Sequence, residues 1–91
     1  MKIRLFASLR ERIGQKELEI TKEEAKTVQK LIELLIRRYP EAEDLLVRDG
    51  ELSSFYHILI NGKNITLLDG TKTIFNEDDT VAILPPIGGG I

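Results

Sequence analysis

Thr80-Val81-Ala82-Ile83-Leu84-Pro85-Pro86-Ile87-Gly88-Gly89-Gly90-Ile91 is the stretch on which the reading of this 91-residue chain turns. Thr80 to Leu84 is apolar and rich in β-branched residues, the composition of a buried strand. Proline fixes φ and removes the backbone donor, so Pro85 and Pro86 cannot continue a central strand and direct the chain outward in an extended form. Gly88, Gly89 and Gly90 lack Cβ atoms and make a thin thread that fits a slot too narrow for any side chain. The expectation is a folded domain over residues 1–84 and a flexible tail over residues 85–91. A frayed chain end has the same local signature; the rest of the chain decides between them.

Working outward, the opposite end supplies the partner for that strand. Met1, Ile3 and Leu5 alternate with Lys2, Arg4 and Phe6, the period of a strand with one face inward. Phe6 falls on the polar face, an odd place for a phenylalanine. Ala7 to Ile13 reads as a short turn or one helical turn closed by Gly14, and Glu17 to Ile20 as a second strand, antiparallel to the first. Val28, Leu31, Ile32, Leu35, Ile36 and Tyr39 have the spacing of one helical face, predicting a helix over Thr27 to Tyr39. Thr27 can cap it, Thr21 with Glu24 matches a capping box a turn or more earlier, and Pro40 stops it.

The remainder reads as strands and turns. Leu45, Leu46 and Val47 tuck inward from an acidic stretch that ends at the Asp49-Gly50 turn. Tyr56 to Ile60 is a strand closed by Asn61-Gly62, and a short run, Ile65 to Leu68, ends at Asp69-Gly70. The predicted architecture is an α+β roll of four to five strands with one main helix packed across a mixed sheet. The last strand lies beside the first, in parallel, at its centre.

Composition excludes several function classes. Thirteen basic and 15 acidic residues give a net charge of -2, against a general nucleic-acid or anionic-membrane footprint. There is no cysteine, hence no disulfide framework, thiol nucleophile or cysteine zinc site. That fits a reducing compartment. With no signal-peptide core at the N-terminus and no long apolar run, the expectation is a cytoplasmic protein. His57 is the only histidine and has no evident nucleophile beside it. Glu77, Asp78 and Asp79 lack the alternate spacing of a metal loop and read as a solvated turn. The glycine run is no phosphate loop, because no lysine, hydroxyl or helix follows it. The chain reads as something other proteins act upon, not an enzyme on its own.

Lys2-Ile3-Arg4-Leu5-Phe6-Ala7-Ser8-Leu9-Arg10, Arg38-Tyr39-Pro40, Ile60-Asn61-Gly62-Lys63, Leu68-Asp69-Gly70 and Val81 to Gly90 occur in the order found in the MoaD family, which the chain resembles over essentially its whole length. MoaD is the small sulfur-carrier subunit of molybdopterin synthase and is related to ThiS and ubiquitin. The resemblance implies a β-grasp fold. It also implies that an E1-like enzyme of the MoeB type uses ATP and magnesium to adenylate the terminal glycine carboxylate. A sulfur donor then makes a thiocarboxylate. The tail delivers that sulfur, inside a MoaE-like large subunit, to cyclic pyranopterin monophosphate. The carrier itself binds no cofactor in this scheme, is a monomer alone and forms a heterotetramer with MoaE. By the same resemblance Gly90 is the reacting residue, Gly89 precedes it, and Pro85, Pro86, Ile87 and Gly88 contact the partner. Ile91 departs from the family pattern, which ends at the position of Gly90; the expectation is that Ile91 is removed. The same activation step serves two alternatives, a ubiquitin-like protein modifier and a carrier for tRNA thiolation or thiamine synthesis.

If Ile3, Leu5, Val81 and Ile83 face the helix, strand parity leaves Phe6 and Leu84 on the open face. Leu59 joins them if Ile58 and Ile60 point inward. An exposed apolar group beside a reactive tail is a candidate contact site.

Overall fold

The computed structural model describes residues 1–53 and 55–85. Its elements are β1 (Lys2–Leu5), α1 (Ala7–Ile13), β2 (Glu17–Glu19), α2 (Val28–Arg38), α3 (Glu43–Leu46), β3 (Val47–Arg48), β4 (Glu51–Leu52), β5 (His57–Ile60), β6 (Lys63–Asn64) and β7 (Thr80–Leu84). Single 3-10 turns occupy Pro40–Ala42, Ile65–Leu67 and Gly70–Lys72. The main sheet has the order β2-β1-β7-β5-β6, and β3 and β4 pair in a small ribbon. β1 and β7 run parallel at the centre, with Ile3 level with Val81 and Leu5 with Ile83. β2 lies antiparallel to β1, and β5 antiparallel to β7.

Side-chain alternation sets the layers. Ile3, Leu5, Val81, Ile83 and Ile58 are buried, as are Val28, Leu31, Ile32 and Leu35 of α2, and together they form one core with Leu9, Leu46 and Phe75. The Thr27 hydroxyl accepts from the Lys30 amide at 3.2 Å, so the helix begins there. Thr21 and Glu24 do form the reciprocal bonds of a capping box, Thr21 N to Glu24 Oε1 at 2.9 Å and Glu24 N to Thr21 Oγ1 at 3.2 Å. They close a separate turn, and α2 starts later. Leu34 is buried on one border of the apolar stripe while Ile36 on the other border is half-buried, so the covered face is rotated toward Leu34.

Two local expectations are corrected. Ala7–Ile13 is a two-turn helix of seven residues, not a turn or a single helical turn. No side chain caps its start. Tertiary contacts hold it instead: Leu9 and Ile13, one turn apart, are buried. Arg12 Nη1 donates to Glu41 O at 2.6 Å and to Asp44 Oδ1 at 2.7 Å. Gly14, at φ 85°, ends the helix with its amide on Arg10 O.

The Glu77-Asp78-Asp79 turn is not uniformly solvated, because Asp79 is buried. Its Oδ2 accepts from the Asn76 amide at 2.7 Å and its Oδ1 from Asn61 Nδ2 at 2.9 Å, while its carbonyl accepts from the Lys2 amide at 3.1 Å. Asp79 thus fixes the entry of β7 beside β1 through its backbone carbonyl, and its carboxylate ties that entry to the Asn61-Gly62 turn. That turn has positive φ at both residues, 52° and 84°, as a two-residue hairpin between β5 and β6 requires.

A candidate docking face at the base of the tail

The face of the sheet turned away from α2 carries the residues with the other parity. Register puts Glu17, Arg4, Ala82, Leu59 and Asn64 in one row across all five strands. The neighbouring row contains Leu84 and His57. Phe6 keeps extended dihedrals, φ -137° and ψ 155°, and so continues β1 by one residue. Leu5 is level with Ile83, which puts Phe6 level with Leu84. Phe6, Leu59, Ala82 and Leu84 are half-buried, forming an apolar strip where β7 leaves the sheet. Phe6 is not core, and Leu59 joins it as Ile58 and Ile60 turn inward.

The strip is held in place by local geometry. Ala7 has φ 53°, the left-handed region that an alanine occupies only at some energetic cost. This turn sends α1 back along the sheet, so that Arg10 Nε donates to Leu5 O at 3.0 Å. The Arg10 guanidinium then lies over the Phe6 ring, 5.4 Å from its centroid, and Arg4 lies over the same ring at 5.7 Å. Ser8 Oγ and Tyr56 Oη are 2.9 Å apart and join α1 to the approach of β5. A second pair occurs just before β5, where Arg48 lies over Phe55, a ring left 55% exposed.

These arginine–phenylalanine pairs escaped the sequence reading. Arg4 and Phe6 are two residues apart on one strand, which was the available signal. Arg10 reaches Phe6 only because of the turn at Ala7, and Arg48, on β3, meets Phe55 beyond β4, which no local residue pattern announces. His57 lies on the open face with Asn64 Nδ2 3.4 Å from its Nδ1. Among the described residues no group of acidic residues and histidine is arranged to hold a metal ion, and no helix is long and apolar enough to cross a membrane. Pro85 is half-buried at the foot of the strip. Pro86, Ile87, Gly88, Gly89, Gly90 and Ile91 lie outside the described residues.

A five-stranded mixed sheet with a parallel central pair, one long helix across it and a C-terminal strand feeding a Pro-Pro/glycine segment defines a small ubiquitin-like β-grasp protein. The ThiS family matches residues 3–90, and the chain belongs to that family. It is 42% identical to the "Putative sulfur carrier protein" of Archaeoglobus fulgidus, over 99% of this chain and 98% of the relative. It is 32% identical to small archaeal modifier protein 3 of Haloferax volcanii, again over 99% and 98%. The crystal structure of SAMP1 from Haloferax volcanii superposes with a TM-score of 0.82 at 27% identity, covering 98% of this chain and 97% of that one. The chain is thus a member of a family of small ubiquitin-like sulfur carriers and modifiers.

Proposed function

We propose that this chain is a sulfur carrier whose Gly90 carboxylate, once Ile91 is removed, is converted to a thiocarboxylate. The observation that carries this reading is the junction at Leu84–Pro85. The central strand ends there beside an apolar strip, and the sequence beyond it is Pro86-Ile87-Gly88-Gly89-Gly90. The chemistry starts from a poor electrophile. The Gly90 carboxylate oxygen attacks the α-phosphorus of ATP on an E1-like partner, with magnesium, and pyrophosphate leaves. Hydrosulfide released by a donor protein then adds at the acyl carbon, the carbon–oxygen bond to AMP breaks and AMP leaves, giving the thiocarboxylate. The product is a nucleophilic sulfur that needs no cysteine in the carrier.

The full-length likeness to MoaD supports cyclic pyranopterin monophosphate as the sulfur acceptor, taken inside a MoaE-like large subunit in a heterotetramer. Two charged carriers supply both sulfurs of the dithiolene, in the cytoplasm. The 32% identity to a small archaeal modifier favours a second reading, in which the activated Gly90 is joined to lysines of target proteins.

Incubating the chain with its cognate E1-like enzyme, ATP, magnesium and sulfide, and then weighing it, tests the carrier reading. The expected product has one oxygen of the Gly90-terminated form replaced by sulfur. Isopeptide-linked adducts without sulfur transfer to a pterin would support the modifier. Pyrophosphate exchange tests the terminus. A chain ending at Gly90 should be active and the chain ending at Ile91 inactive, because a β-branched side chain blocks a channel shaped for glycine. Equal rates would remove the need for trimming.

A further inference from the structure

We propose that the end of the sheet from which the tail departs is an arginine-reading surface: Arg4 and Arg10 over Phe6, with Arg48 over Phe55, receive carboxylates that rim an apolar pocket on the activating partner. This rests on the carrier reading and names the chemistry by which the partner recognises the carrier. Both rings sit at the same end. Phe6 is one residue beyond the Leu5–Ile83 pair, and Phe55 is two residues before His57, which is level with Leu84. A guanidinium stacked on a ring keeps its charge and leaves in-plane donors free for bidentate contact with a carboxylate: all of them at Arg4 and Arg48, and the two Nη groups at Arg10, whose Nε is held by Leu5 O.

The other arginines show the contrast. Arg12 and Arg38 are committed to Asp44 and Glu24 within the chain, while Arg37, at the far end of α2, has neither an ion pair nor a ring among the described residues. Arg4 and Arg48 have no hydrogen-bond or ion-pair partner among the described residues; the rings are what they touch. Glu17 is the cross-strand neighbour of Arg4 and Glu19 that of Lys2, so negative charge lies along the outer edge at β2. Acidic groups of a partner are therefore repelled from that edge and drawn toward β1, α1 and the tail. Arginine and aromatic anchors beside a desolvated apolar strip are the composition of an interface hot spot. Leu59 and Leu84 supply that strip here, which favours a protein partner over a nucleic acid.

The experiment measures the affinity of the chain ending at Gly90 for its cognate E1-like enzyme by calorimetry without ATP, and its KM and kcat in pyrophosphate exchange, at low and high salt. Arg4→Glu should weaken binding about tenfold or more at low salt, with the gap narrowing as salt rises. The loss should fall on KM. Arg48→Glu should act in the same direction, and Arg4→Lys should retain part of the affinity because charge remains and stacking is reduced. Arg4 is exposed, so an unchanged melting temperature shows that the fold is intact. Binding by wild type that is indifferent to Arg4→Glu at both salts overturns this inference and leaves the carrier reading standing. A Gly90-terminated chain with Arg4 in place that neither binds nor is adenylated overturns both. Arg4-dependent binding of a single-stranded RNA oligonucleotide, with enzyme affinity unaffected, would reassign the surface to nucleic acid and overturn it as stated.

Discussion

Ile83 and Leu84 are consecutive residues of one strand and belong to two different problems. Ile83 points to α2 and is fully buried; Leu84 points to the open face and is half-buried. The same split holds for Leu5 and Phe6 on the adjacent strand. One face of this sheet is closed by its own chain, and what it contributes is stability. The other face keeps an apolar strip uncovered at the point where the tail begins, and recognition is the role proposed for it. The difference teaches that alternation alone allocates residues between the core and an open apolar strip, without any separate structural element for the second.

The sharpest way to break that comparison is to cut both neighbours back. Ile83→Ala should lower unfolding free energy by about 2–5 kcal/mol in chemical denaturation, while Leu84→Ala should cost well below that range. Equal losses would mean that the open face is core. Next in size, Phe6→Ala should weaken binding of the MoaE-like or E1-like partner by about 1–3 kcal/mol, read by calorimetry, with little change in melting temperature. A large thermal loss with intact affinity would reverse the assignment of Phe6.

A smaller effect is expected at Ala7. Glycine relieves the left-handed strain, so Ala7→Gly should leave stability unchanged or raise it by up to about 1 kcal/mol. Partner affinity should fall, because Phe6 and Arg10 are then less firmly placed. A gain in both would show that the strain has no docking role.

The smallest effect concerns a charge on the closed side. Backbone and hydroxyl donors of Thr21, the Arg38 guanidinium bonded to it, and Arg38's charge hold the Glu24 carboxyl below the usual carboxylate range. A depressed carboxyl contributes stability above its unfolded value and loses it as pH falls through the folded one. Melting temperature should therefore decline as the solution is acidified through and below the ordinary carboxylate range. Glu24→Gln should flatten that decline slightly and leave partner binding alone.

What could be read from sequence follows the same division. The strand periods, the stripe from Val28 to Tyr39 and the Asn61-Gly62 turn are written in local residue pattern, and these suffice for the roll and its parallel centre. The parity argument also reached the open-face apolar strip, since Phe6, Leu59 and Leu84 sit at even offsets from polar neighbours. α1 was underestimated because two apolar residues among charges give no helical pattern, and its support comes from residues about 30 positions later. Asp79 was misread for a related reason: what buries it is Asn61 and the Asn76 amide, and a triplet of acidic residues does not say which one turns inward. The stacking of Arg10 over Phe6 depends on the backbone dihedrals at Ala7, and that of Arg48 over Phe55 on where β3 meets the chain before β5, neither of which has a residue code.

The parallel pairing of β1 with β7 has a further consequence, in time. It joins the first strand of the chain to the last, so the middle of the sheet closes a loop spanning nearly the whole sequence. Long-range closure comes late and slowly in folding compared with local hairpins and helices. During synthesis β1 must wait for Thr80 to Leu84 to emerge, and these are the residues immediately before the tail. A truncated or half-made chain therefore has no assembled centre and no docking strip, since Phe6 and Leu84 meet only across that ladder. On the proposed docking role, the order in which the backbone closes makes recognition available only to molecules whose C-terminal strand is already complete.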